Sequence, residues 1–343
     1  MTEAEHGRVT IRAIADEAGV SVPTVSRVIN GRSDVAPETR KRVEALLTER
    51  GYQRRRSTRT PGRNARLVDL VFNELDSPWA VEIIRGVEDA CHAAGVGTVV
   101  SAVHRRRAST EQWLDNLRTR ASDGVILVVS TLASPILEQL RNLRVPMVVL
   151  DPAGGPTMEA PAIGATNWAG GLAATEHLIQ LGHRRIGFIH GPKQVLASRA
   201  RFDGYRAALD AAGLPYDGAL IYDGDFYHQS GFDAAKELLA LDDAPTAIFA
   251  SSDQMAFGAY EAIRQRGLRI PEHVSVVGFD DLPESRWTSP PLTTVRQPLA
   301  EMGALAARTV LELASGNEVE TPRLELATEM VDRESTAAPY GGR

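Results

Sequence analysis

Six short apolar runs constrain the fold of this chain more than any other feature: "LVDLVF", "GVILVVS" and "PMVVLD", then "RIGFIH", "TAIFAS" and "SVVGFD". Each has the length of a buried strand, and helical patterns lie between them. That is the rhythm of parallel sheets with helices on both faces. The series occurs twice, over roughly 67–163 and 164–290, so two similar α/β lobes with a cleft between them are expected. Most runs end in a polar or glycine-containing segment, and open α/β sheets bind ligands beyond the carboxyl ends of their strands.

Those runs leave an N-terminal stretch unexplained, and its charge separates it from the rest. The chain of 343 residues carries a formal net charge of −6. Residues 1–66 hold 14 Arg and Lys against 8 Asp and Glu, which leaves 24 against 36 for residues 67–343. A basic head on an acidic body points to a nucleic-acid-binding module joined to a second, differently occupied domain.

Within the head, Ile11, Ile14, Ala15 and Ala18 recur at helical spacing and Gly19 supplies a stop. Ser21 is a plausible N-cap for a second helix that buries Val25, Val28 and Ile29. A third helix starts near Pro37 with Val43, Leu46 and Leu47 facing inward. Two short helices joined through glycine and backed by a third form a helix-turn-helix, whose second helix enters the major groove. Val22 and Pro23 would then face base edges. Arg27 can donate two parallel hydrogen bonds to a guanine, and Thr24, Ser26 and Asn30 are short donors suited to phosphates.

Other classes of function find little support. No apolar run approaches the roughly 18 residues of a membrane span, and "MTEAEHGRVT" lacks the pattern of a secretory signal, so a cytoplasmic protein is expected. The lone Cys91 has helical spacing and is expected to be buried. There is no "GxxxxGK", "HExxH" or "GxSxG", the histidines have no metal-like spacing, and the glycine pair in "TNWAGGLAATEHL" lacks the order of a dinucleotide site. Neither an enzyme nor a cofactor is expected.

The strand ends carry residues suited to a sugar, whose C–H faces stack on aromatic rings and whose hydroxyls bind carboxylates and guanidinium groups. The aromatic candidates are Trp79, Trp168 and Phe226. The polar candidates are Asp76, Asp151, Arg199, Asp253 and Asp280. Trp79 or Phe226 would serve equally as core, and Asp253 in "SSDQMAFG" as a helix N-cap.

"TIRAIADEAGVSVPTVSRVING" with "VAPETRKRVEALLTERGY" resembles the DNA-binding head of the lactose repressor/galactose repressor family, at nearly every position from Thr10 to Tyr52. The resemblance implies that Val22, Pro23 and Arg27 read bases, while Thr10, Thr24, Ser26, Asn30 and Thr39 hold the backbone. Ile11 and Ser21 complete the set of candidate DNA-binding residues. The body resembles the family's effector domain through "HLIQLGHRRIGFIHGP", "RFDGYRAAL", "SSDQMAFGAYEAIRQRGLRIPEHVSVVGFDD" and "PPLTTVRQPLAEMG". By that similarity Arg199 and Asp280 hold effector hydroxyls or polar edges, Phe226 stacks on the effector, and Asp151 matches a position that some members use. Where many relatives have Asp-Asn, this chain has Ala165-Thr166.

The linker departs from the family. "QRRRSTRTPGRNAR" replaces the usual hinge helix, Pro61 falls near the expected minor-groove leucine, and Pro61-Gly62 breaks any helix. Arg54, Arg55, Arg56 and Arg59, with Arg63 and Arg66, are instead expected to grip phosphates or a narrow minor groove.

The expected organisation is a helix-turn-helix head at 1–50, a linker at 51–66 and a two-lobed effector and dimerisation domain, similar to periplasmic binding proteins, at 67–335. The first lobe is assigned 67–163 and 293–318, and the second 164–290 and 322–335. Helix 299–314 is expected to return to the first lobe and strand 323–331 to the second. The expected function is a homodimeric repressor of a near-palindromic DNA operator, released by a neutral sugar such as a plant-cell-wall oligosaccharide. The alternatives are a purine or partner-protein corepressor, or a carbohydrate-binding protein without a regulatory role.

Overall fold

The computed structural model describes residues 11–29, 35–50, 65–104, 107–128, 134–152, 160–319 and 323–340. It divides into two compact units, Met1–Arg63 and Asn64–Arg343.

In the first unit, α1 (Ile11–Ala18), α2 (Val22–Ile29) and α3 (Pro37–Glu49) enclose Ile14, Ala15, Ala18, Val25, Val28, Val35 and Val43. The turn between α1 and α2 needs Gly19 because its φ is +63°, a left-handed value that costs glycine little. The Val20 N–H then reaches back to the Ala15 carbonyl at 3.0 Å, closing the end of α1. Arg50 donates through Nε to Glu17 at 3.1 Å and also through a terminal nitrogen, tying α3 to α1.

The second unit is the predicted pair of α/β lobes. In the first, β1 (Leu67–Phe72), α4 (Pro78–Ala93), β2 (Gly97–Ala102), α5 (Arg107–Arg120), β3 (Gly124–Val128), α6 (Ser134–Leu143), β4 (Met147–Leu150) and β5 (Ala162–Ala165) follow in order. In the second come α7 (Asn167–Gln180), β6 (Ile186–His190), α8 (Leu196–Ala211), β7 (Ile221–Asp223), α9 (His228–Leu238), β8 (Ala247–Ala250), α10 (Asp253–Gln265), β9 (Ser275–Asp280) and β10 (Thr293–Arg296). The chain ends with α11 (Leu299–Ser315), β11 (Arg323–Leu326) and β12 (Glu329–Val331). Strand order is β2-β1-β3-β4-β5-β11 in one sheet and β7-β6-β8-β9-β10-β12 in the other. Both are parallel except for β12, which runs antiparallel to β10. β3, β6, β8 and β9 are buried throughout, as strands covered on both faces must be. Cys91 lies in the core of the first lobe.

Two lobe assignments are corrected by strand pairing. Thr293–Arg296 belongs to the second sheet, where β10 pairs with β9. Strand 323–331 is two strands: β11 joins the first sheet beside β5 and β12 the second beside β10. The expected return of the helix near 299–314 does occur, since α11 packs on the first-lobe core through Leu299, Met302 and Ala306. The chain therefore crosses between lobes at Thr166, at Gln297-Pro298 and at Ala327-Thr328. Thr166 ties the first crossing to the third: its hydroxyl accepts from the Thr328 N–H at 2.9 Å, and its N–H donates to the Leu326 carbonyl at 2.9 Å.

Candidate functional site

In the head, α2 buries one face and exposes the other. Ser21 caps α2, its hydroxyl accepting from the Thr24 N–H at 3.3 Å and lying 2.8 Å from the Thr24 hydroxyl. Ser21, Val22, Pro23 and Arg27 are exposed, Thr24 and Ser26 half-buried. The opposite face buries Val25 and Val28. Val22 and Pro23 form an exposed apolar pair beside Ser21 and Arg27. Ile11 departs from its assignment, because its side chain packs against the head core. Thr39 is half-buried in the first turn of α3, whose N–H groups favour an anion. Thr10, Asn30, Arg54, Arg55, Arg56 and Arg59 lie outside the described residues.

In the body, the strand ends of the second lobe converge on Arg201, not Arg199. Arg199 is exposed on α8, whereas Arg201 is 3% exposed. Arg201 donates from Nε to Asn167 Oδ1 at 2.8 Å and from a terminal nitrogen to the Ser251 carbonyl at 2.6 Å. The same nitrogen is 3.8 Å from Asp280 Oδ1. Its guanidinium carbon lies 3.8 Å from the Phe279 ring centre and 5.6 Å from that of Phe226. The position of Arg201 follows from Gly171 of α7 and Gly204 of α8. A Cβ on Gly171 would lie 2.2 Å from the Arg201 carbonyl, and one on Gly204 2.2 Å from the Trp168 carbonyl. Only glycine permits that helix contact.

Asp280 ends β9 with φ +126° and accepts from Gln297 Nε2 at 2.6 Å. Phe226 sits at φ +77°, with its carbonyl accepting from the Ser252 hydroxyl at 3.0 Å. Such left-handed values are costly for non-glycine residues and concentrate at ligand sites. Asp151, at φ +50° and half-buried, completes the cluster.

The other candidates fall elsewhere. Trp168 is exposed and lines a cavity beside Asp151. Trp79 packs on the first-lobe core. Asp76 is exposed and accepts from the Tyr227 hydroxyl at 2.9 Å, a bond from one lobe to the other. Asp253 is fully buried and takes its partners from the protein, the Leu282 N–H at 2.8 Å and the Thr294 hydroxyl. It is therefore no ligand residue, and Ser252 rather than Asp253 is the N-cap of α10. Asn167, Arg201, Ser252 and Gln297 were not singled out from sequence.

Comparison with known proteins bears on both units. Residues 10–55 match the model of bacterial regulatory proteins, lacI family, and residues 175–336 match a periplasmic binding protein-like domain. The HTH-type transcriptional regulator CelR of Thermobifida fusca is 39% identical over 337 residues, 96% of this chain and 98% of CelR. The chain belongs to the lacI family of bacterial regulatory proteins. Another relative, the transcriptional repressor PurR of Actinobacillus pleuropneumoniae, is 34% identical over 88% of this chain and 90% of its own. Among solved structures, a CelR–cellobiose complex aligns with TM-score 0.74 at 37% identity, covering 96% of this chain and all of that one. A lac repressor dimer bound to operator and an anti-inducer aligns with TM-score 0.72 at 29% identity, covering 96% of this chain and 99% of that one. Like its family, the chain is a DNA-binding transcriptional regulator.

The chemistry of this lacI-family cleft is set by the Asp151 and Asp280 carboxylates and the Arg201 guanidinium, with Asp253 fully buried next to Asp280. Burial pushes Asp280 up to about 6, with Arg201 opposing the shift. Burial and the neighbouring Asp280 push Asp253 up to about 8. Asp151 is also raised by burial, again opposed by Arg201. Arg201 is lowered by burial but held charged by Asp280, Asp151 and Asp253. Asp151 and Asp280 beside one guanidinium offer acceptors for several hydroxyl donors, which suits neutral polyhydroxyl ligands. No helix among the described residues is long and apolar enough to cross a membrane.

Proposed function

We propose that this regulator is a homodimeric repressor released from a near-palindromic operator by a small neutral sugar, a cello- or xylo-oligosaccharide fitting best. The carrying observation is Arg201 and Asp280 beside the Phe226 ring, which offers directional partners for hydroxyls next to a stacking face. The bound cellobiose in the CelR structure supports the same ligand class. A purine would also stack on Phe226, which makes a purine corepressor the reading to exclude. Asp151 and Asp280 facing one guanidinium suit a polyol better than a base with few donors. A sugar phosphate would meet Asp151 and Asp280 at a guanidinium that these carboxylates already face.

Release follows if the sugar binds one arrangement of the two lobes better than the other, since a ligand shifts an equilibrium only by its differential affinity. The crossings at Thr166, Gln297 and Thr328 are the places where that arrangement can change.

The test uses the full chain and an operator selected from a random duplex pool. Calorimetry with cellobiose, xylobiose, glucose, glucose 6-phosphate and guanine should show binding by a neutral sugar, and that sugar should lower operator affinity in fluorescence anisotropy. Binding by guanine alone, with tighter DNA association, establishes the corepressor reading instead.

A further inference from the structure

A cavity of about 140 Å³ adjoins the Arg201 cluster. It shares Asp151 and Asn167 with that cluster, and its other walls include Gly164, Trp168, Ala200 and Glu325. Ligand pockets for whole small molecules run to roughly 300–1,000 Å³, so this one suits a single ring of a ligand whose remainder lies elsewhere.

Three features give the cavity a chemical preference. Trp168 is 48% exposed, an indole face left uncovered although water contact with it is unfavourable. Gly164 lies in β5 with an ordinary negative-φ backbone, and a Cβ built on it meets nothing within 4 Å. Glycine there is required by neither turn nor packing, and its effect is to leave the cavity open. The rim is polar, with the Arg323–Glu325 pair at 3.1 Å on one side and Asp151 on the other. An aromatic face with a small-residue floor and charged hydrogen-bonding groups at the edge is how a protein holds a pyranose ring.

We infer that this cavity is the second-ring subsite of the effector pocket: Trp168 stacks on the distal ring of a disaccharide whose proximal ring lies between Phe226, Arg201 and Asp280. The subsite selects a disaccharide over its monosaccharide. The inference rests on the neutral-sugar reading above.

The test is calorimetry on the full chain with cellobiose and glucose, using wild type, Trp168→Ala, Trp168→Phe and Gly164→Leu, each checked for native circular dichroism. Trp168→Ala removes the stacking face, and Gly164→Leu, at a position whose Cβ meets nothing within 4 Å, fills the space. Cellobiose affinity is expected to fall about tenfold or more in both, a loss of roughly one stacked ring contact. Trp168→Phe should restore most of it, and glucose affinity, where measurable, should be equal in all four proteins. Wild-type cellobiose affinity in Trp168→Ala and Gly164→Leu overturns the subsite, as does parallel loss of cellobiose and glucose or failure of Trp168→Phe to rescue. If wild type binds neither these sugars nor the xylo-series, the neutral-sugar reading itself fails, and the subsite with it.

Discussion

Replacing Arg201 separates the buried guanidinium from its exposed neighbour Arg199. Arg201 makes bonds of 2.8 and 2.6 Å to Asn167 and the Ser251 carbonyl and lies 3.8 Å from Asp280. Removing one partner of a buried charge pair costs about 3–5 kcal/mol, a large share of the roughly 5–15 kcal/mol that holds a domain folded. Arg201→Ala is therefore a poor probe of binding. Arg201→Lys keeps the positive charge but loses the planar fork, and forfeiting one charge-assisted bond costs roughly 1.5–3 kcal/mol. The body should stay folded, with a lower urea midpoint. The lysine variant should still bind operator in fluorescence anisotropy but no longer release it when cellobiose is added. Arg199→Ala, on the exposed face of α8, should change stability by no more than about 0.5 kcal/mol and should release operator as wild type does. If Arg199→Ala abolishes release while Arg201→Lys leaves it intact, the assignment of the polar anchor to Arg201 is wrong.

Arg27→Ala should cost roughly 1–3 kcal/mol of operator affinity and relax preference at one base pair; unchanged preference across a mutated operator series would remove Arg27 from the reading surface. Thr166→Val deletes the acceptor of the Thr328 N–H and should lower body stability by about 1–2 kcal/mol in urea unfolding, whereas an unchanged midpoint would mean the crossings are not clasped there. The pH dependence follows from Asp253 and Asp280. Both titrate above the ordinary aspartate range in the folded protein, so between about pH 4 and 8 the native state holds protons that the unfolded chain has lost. Stability should therefore be full at the acid end of that window and decline as pH rises through it. Asp253→Asn should flatten the profile of Tm against pH, and a profile unchanged by that substitution would show that Asp253 ionises normally.

The double α/β rhythm was legible because strands buried on both faces read as unbroken apolar runs, and β3, β6, β8 and β9 are such strands. The assignment of 293–296 and 323–331 to lobes was not, because a four-residue strand carries no mark of which sheet it joins; pairing partners far along the chain decide that. Arg201 was within reach of sequence reasoning. Ala197, Ser198, Arg201, Gly204, Tyr205 and Ala208 share the buried face of α8, a spacing that turns Arg201 inward and Arg199 outward. Asn167 likewise shares the buried face of α7 with Gly170, Gly171, Ala174, Thr175 and Leu178, whereas Gln297 carries no periodic mark, since it acts by following a strand that ends at the cleft. Asp253 misled because a carboxylate at the start of a helix looks the same in sequence whether it faces ligand or, as here, a threonine and a backbone N–H across the sheet.

The polar anchors of the cleft, Arg201 and Asp280, are each bonded to a residue at a crossing. Gln297 begins the passage from β10 to α11 and bonds Asp280 through both its side chain, at 2.6 Å, and its backbone N–H, at 3.2 Å. Asn167 follows Thr166 at the first crossing and holds Arg201. A hydroxyl that binds Asp280 or Arg201 therefore competes for, or realigns, bonds whose other ends belong to the connecting segments. Binding at such a position can discriminate between lobe arrangements, which is what an effector needs to shift their equilibrium. The Asp76–Tyr227 bond, 2.9 Å from one lobe to the other, contributes to the arrangement in which the two residues meet. Tyr227→Phe should therefore shift the effector concentration needed for half-release while leaving the amplitude of release unchanged. In operator-release titrations with cellobiose, a changed amplitude at an unchanged midpoint would place Tyr227 among the signalling residues and refute this division of roles.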